Sequence, residues 1–66
     1  MHIVLNGETK TLSAALTVTE LLEQMGVAGR RVAVEINQEI VPRSRHAEHR
    51  LREDDCVEVV FAIGGG

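Results

Sequence analysis

The chain has 66 residues, 44% of them hydrophobic, with 7 basic and 10 acidic side chains and a formal charge of -3. A chain this short forms one small domain whose apolar residues are taken up by its own core, which argues against an internal substrate pocket and against catalysis by this chain alone. The single aromatic side chain, Phe61, and the acidic balance remove the stacking platforms and cationic surface that nucleic-acid binding needs.

One cysteine closes no internal disulfide, so the predicted setting is the cytoplasm. No apolar run approaches the ~20 residues of a membrane-spanning helix. Met1 leads directly into His2-Ile3-Val4-Leu5-Asn6 with no basic leader, and the sequence predicts a mature, soluble chain with no membrane partner.

The run from His2 to Asn6 is β-rich and is closed by Asn6-Gly7, the pair that best tolerates the two positive φ angles of a type I′ turn. A return strand through Lys10 to Leu12 would complete a hairpin. Val18, Leu21, Leu22 and Met25 then fall at i, i+3, i+4 and i+7, the apolar face of a helix predicted from Val18 to Met25. Thr17 and Glu20 form a capping-box pair, Leu16 and Leu21 stand where a hydrophobic staple packs, and Gly26 ends the helix.

Val32, Val34 and Ile36 alternate with Ala33 and Glu35 as a half-buried strand, and Asn37-Gln38 turns it into Glu39-Ile40-Val41, stopped by Pro42. Between positions 43 and 52, four arginines and two histidines face one acid without a clear period, which predicts a surface turn with a short helical stretch. After the charged turn Glu53-Asp54-Asp55, the run Cys56 to Ile63 alternates again. Val57, Val59, Phe61 and Ile63 form the predicted core face, opposite Cys56, Glu58, Val60 and Ala62. Because both sets are largely apolar, this strand is predicted to be central and contacted on both sides. The order of elements gives an α+β fold, one layer of sheet and one of helix.

Chemistry-bearing motifs are few. There is no Cys-x-x-Cys and no glycine-rich phosphate loop between a strand and a helix. Cys56 reads as a buried or half-buried structural thiol, since nothing near it in sequence activates it. His46 and His49 are spaced to share a helical face, but no third ligand stands at a recognised spacing, so they read as a solvated pair and no metal site is predicted. Arg43, Arg45, Arg50 and Arg52 read as solvated surface, with docking to an acidic partner patch as the alternative.

The C-terminus is the exception, because a hydrophobic strand runs straight into Gly64-Gly65-Gly66. The reading is a folded domain over 1–63 and a flexible tail over 64–66. Glycines make the thinnest, most mobile tether, able to carry a terminal carboxylate into another protein's active site. An ionised carboxylate there attacks the α-phosphorus of a nucleotide to give an acyl-adenylate, whose carbonyl accepts sulfur, an amine or a thiol. A frayed end or an expression scar is the alternative.

On these residues the chain resembles the ThiS family, the thiamine-pathway sulfur carriers with a ubiquitin-like β-grasp fold. The resemblance runs through Thr17-Val18-Thr19-Glu20-Leu21-Leu22, Ile36-Asn37-Gln38-Glu39-Ile40-Val41-Pro42-Arg43 and Cys56-Val57-Glu58-Val59-Val60 to the final glycines. Of these, Ile40-Val41-Pro42-Arg43 is the most specific. Two features depart from the family pattern: Gly64 is a third glycine where two are usual, and Asp54 stands where the turn often has Gly.

The resemblance implies a mixed sheet of about five strands packed against one helix, with the first and last strands parallel neighbours at its centre. It implies a carrier rather than an enzyme, with no cofactor bound. A ThiF-like adenylating enzyme would use ATP and Mg²⁺ to activate the Gly66 carboxylate. Sulfur from a desulfurase or persulfide protein would convert it to a thiocarboxylate, and a ThiG-like thiazole synthase would take that sulfur. Partner docking is expected around Val60, Ala62 and Ile63, with Phe61 and Ile63 packed inward or at the root of the tail. A molybdopterin carrier similar to MoaD, a ubiquitin-like protein modifier and a plain interaction module are the alternatives.

Overall fold

In the computed structural model, residues 1–61 are described. Asn6 and Gly7 take φ of 50° and 85°, the pair of positive angles a type I′ turn requires, so β1 (His2–Leu5) returns directly as β2 (Glu8–Thr11). The pairing is antiparallel, from His2 opposite Thr11 to Leu5 opposite Glu8. Asn37 and Gln38 repeat the device with φ of 53° and 71°, folding β3 (Val32–Ile36) onto β4 (Glu39–Val41).

Helix α1 covers Val18–Gln24, with Met25 as its C-cap, one residue short of the predicted end. Its first amide donors are all satisfied. Thr17 N–H donates to Glu20 Oε1 at 2.8 Å, and Glu20 N–H to Thr17 Oγ1 at 3.1 Å, which closes the capping box. Val18 N–H donates to the His49 carbonyl at 2.9 Å and Thr19 N–H to the His46 carbonyl at 3.1 Å. The segment after β4, which opens with the 3₁₀ turn Arg43–Arg45, thus caps the helix from outside.

The last strand, β5 (Cys56–Phe61), inserts between the two hairpins to give the order β2-β1-β5-β3-β4. It runs parallel to β1, with Val4 opposite Cys56, and antiparallel to β3, from Val32 opposite Phe61 to Ile36 opposite Val57. Alternation then sends Ile3, Leu5, Val34, Ile36, Val57 and Val59 to the face that α1 covers with Val18, Leu21 and Leu22.

Four expectations are corrected. Phe61 shares the parity of Val57 and Val59 but is 48% exposed. A helix of 7 residues spans about 10 Å, whereas a strand of 6 spans about 20 Å, so the helix covers part of the inner face and Phe61 lies past its cover. Contact on both faces of β5 is likewise not found, because Glu58 and Val60 lie exposed on the face opposite α1. Cys56, expected to be buried or half-buried, is exposed at the mouth of β5, on that same outer face. His46 is not a solvated partner of His49: it is buried, with Nε2 2.9 Å from the Val41 carbonyl oxygen, so that nitrogen carries the proton and donates it.

Candidate functional site

The sequence placed the chemistry beyond the end of β5, and the structure ties that strand into the sheet from its first residue. Central placement gives it backbone partners on both sides. The turn asparagines add to them. Asn6 N–H donates to the Val57 carbonyl and Asn6 Oδ1 accepts from Val59 N–H, each at 2.9 Å, so the side chain carries the β1–β5 ladder one residue past the strand's own end. From the other hairpin, Asn37 Oδ1 accepts from Cys56 N–H and its Nδ2 donates to Asp55 Oδ1, each at 3.0 Å. The buried Asp55 carboxylate also accepts from Arg52 N–H at 2.8 Å. The start of β5 is therefore clamped by both turns.

Sequence reasoning missed this clamp. Its signal was present: asparagine at a left-handed turn position has a short amide side chain that reaches neighbouring backbone groups. The turn before β5 does adopt the left-handed conformation, with Asp54 at φ 69° where the family often has glycine. The Glu20 carboxyl is lowered from its ordinary range by the hydrogen bonds from the Thr17 backbone and then from its side chain.

At the exit of β5, Val60 and Phe61 are 53% and 48% exposed, on opposite faces of the strand. Val60 stands opposite Ala33 on the bare face, beside Glu58 opposite Glu35. The Arg30 guanidinium lies 5.2 Å from the centroid of the Phe61 ring, a cation–π contact. Of the residues singled out from sequence, Val60 is thus placed in the open; Ala62, Ile63, Gly64, Gly65 and Gly66, and the domain boundary between 63 and 64, lie outside the described residues. Among the described residues, no three His, Cys, Asp or Glu side chains gather as a metal site, and no helix is long and apolar enough to cross a membrane.

A mixed sheet with parallel strands β1 and β5 at its centre, a hairpin on each side and one helix across a single face is a ubiquitin-like β-grasp domain. The profile of the ThiS family matches residues 3–66, and the chain belongs to that family. It is 38% identical to the sulfur carrier protein ThiS of Escherichia coli over 66 residues, 100% of each chain. It is 48% identical over 66 residues to a thiazole synthase of Paramagnetospirillum magneticum, but spans only 20% of that protein's length. The crystal structure of the thiamine biosynthesis protein ThiS from Geobacter metallireducens superposes with a TM-score of 0.86 at 35% identity, over 100% of both chains.

Proposed function

We propose that the chain is a sulfur carrier of thiamine biosynthesis, a co-substrate of partner enzymes whose reactive group is the Gly66 carboxylate. The observation that carries this reading is the family match through residue 66, which takes in the glycine end as well as the fold. A carboxylate oxygen of Gly66 attacks the α-phosphorus of ATP in a ThiF-like enzyme, with Mg²⁺ held by that enzyme, and pyrophosphate leaves. A persulfide sulfur, supplied by a desulfurase or persulfide protein, attacks the acyl-adenylate carbonyl and releases AMP, leaving an acyl disulfide. A second thiol takes the donor sulfur as a disulfide and frees the thiocarboxylate. A ThiG-like thiazole synthase then draws sulfur from it; the likeness of this chain to a fifth of proteins named thiazole synthase supports that partner.

The geometry suits such a role. A central strand held by both hairpins gives the domain a fixed end at Phe61, and docking of the domain raises the effective concentration of the reactive end at a partner's active site. In this reading the docking residues are the exposed Val60 and, outside the described residues, Ala62 and Ile63.

The test is intact-mass spectrometry after incubation with a ThiF-like enzyme, ATP, Mg²⁺, cysteine and a cysteine desulfurase. The expected result is a gain of about 16 Da on Gly66, one oxygen replaced by sulfur, absent from a chain lacking Gly66. No gain, with the enzyme active on another carrier, overturns the proposal.

A further inference from the structure

We infer that the enzyme that adenylates the tail docks an acidic segment of its own surface, an Asp or Glu beside an apolar side chain, into an arginine-rimmed pocket next to the end of β5. The inference rests on the proposed carrier reading and adds to it the chemistry and position of the contact.

The pocket has a volume of about 320 Å³ and is lined by the apolar side chains of Leu22, Ala28 and Val32, with the exposed Arg30 and Arg43 at its rim and the buried His46 beside them. Among the described residues, no carboxylate lines it. That is unusual on a chain with a net charge of -3, where acids outnumber bases. The ion pairs among the described residues are His2 with Glu53 and Arg45 with Glu48, so neither Arg30 nor Arg43 has its charge met there. Arg31, next in sequence, is exposed as well.

Both rim arginines are held in place before any partner arrives. Arg30 lies over the Phe61 ring at 5.2 Å. Arg43 Nη2 donates to the Arg30 carbonyl at 3.2 Å, which ties the loop before β3 to the 3₁₀ turn after β4. Holding a long side chain in position lowers the entropy lost on binding. It also gives a role to Arg43, the last residue of the most family-specific segment of the sequence.

Position identifies the occupant. Val32, which lines the pocket, pairs with Phe61, the last described residue of the chain. An enzyme that engages the end of β5 lies beside this rim. The apolar lining of Leu22, Ala28 and Val32 receives an aliphatic side chain. A carboxylate beside that side chain meets the guanidinium fork, the geometry in which arginine pairs best.

The experiment measures adenylation by the ThiF-like enzyme as a function of carrier concentration, for wild type, Arg30→Glu, Arg43→Glu, Arg30→Gln, Arg30→Lys and Lys10→Glu. Lys10 is exposed on the strand at the other side of the sheet, so its reversal changes net charge equally without touching the pocket. The expected result is a KM raised roughly tenfold by either arginine reversal, less by Arg30→Gln and least by Arg30→Lys, which keeps the charge but not the fork, with kcat unchanged and a shallower salt dependence. Far-UV circular dichroism checks that each variant is folded. Equal effects in all three reversals, or none in the arginine variants, overturn the inference while leaving the carrier reading intact. Absence of adenylate on the wild type overturns the carrier reading and the inference with it.

Discussion

Replacing Asn37 separates two contributions that meet at one position. The residue sits at φ 53° and its side chain makes two hydrogen bonds, one to Cys56 N–H and one to the buried carboxylate of Asp55. Asn37→Gly keeps the left-handed backbone easy and removes both bonds, a loss of about 2 kcal/mol at roughly 1 kcal/mol each. Asn37→Ala removes the same bonds and adds about 1 kcal/mol for a Cβ at positive φ, near 3 kcal/mol in all. A domain of this size has a total stability of only about 3–10 kcal/mol. The midpoint of thermal unfolding should therefore fall by roughly 10 °C for glycine and further for alanine. With no Trp or Tyr in the chain, urea and thermal unfolding are best followed by far-UV circular dichroism. Hydrogen exchange at the Cys56 amide reads the clamp directly and should accelerate in both variants. A glycine variant within 0.3 kcal/mol of wild type, roughly the error of such comparisons, and with Cys56 protection unchanged, would refute the claim that the turn holds β5.

Other perturbations test other parts of the fold. Leu21 is fully buried where α1 meets the sheet, and Leu21→Ala should cost about 3 kcal/mol; a denaturation midpoint near wild type would contradict the core assignment. Gly7→Ala meets no atom within 4 Å but must hold φ at 85°, so it should cost about 1 kcal/mol by backbone strain alone, measured by urea unfolding. Thr17→Ala, which removes the capping hydroxyl, should cost about 1 kcal/mol in the same assay. The hydrogen bonds from Thr17 hold Glu20 below its ordinary value of 4.5, so its ionised form contributes stability that is present above that pH and lost as pH falls through the lowered value. The stability difference between wild type and Glu20→Gln should therefore be full at pH 7 and shrink on acidification, as followed by thermal unfolding across pH.

Local chemistry was enough to read the elements of this protein from its sequence. The positive-φ pair Asn6-Gly7, the turn at Asn37-Gln38, the Thr17–Glu20 box and the spacing of Val18, Leu21 and Leu22 act over a few residues, and each appears in the structure where its pattern stands. The parallel pairing of β1 with β5 was available only through the family resemblance, since no periodicity within either strand encodes which neighbour it takes. Alternation likewise gave Phe61 its parity but not its exposure, which depends on how far a helix of 7 residues reaches across the sheet.

The same division holds for the site. The exposed Val60 was legible because strand parity is a property of the chain itself. The clamp of Asn6 and Asn37 on β5, the burial of His46 and Asp55, and the pocket rimmed by Arg30 and Arg43 were not. These contacts join residues up to 53 positions apart. Only the closing of the two hairpins around the last strand brings their polar groups within bonding distance, and that long-range juxtaposition leaves no periodic trace in the sequence.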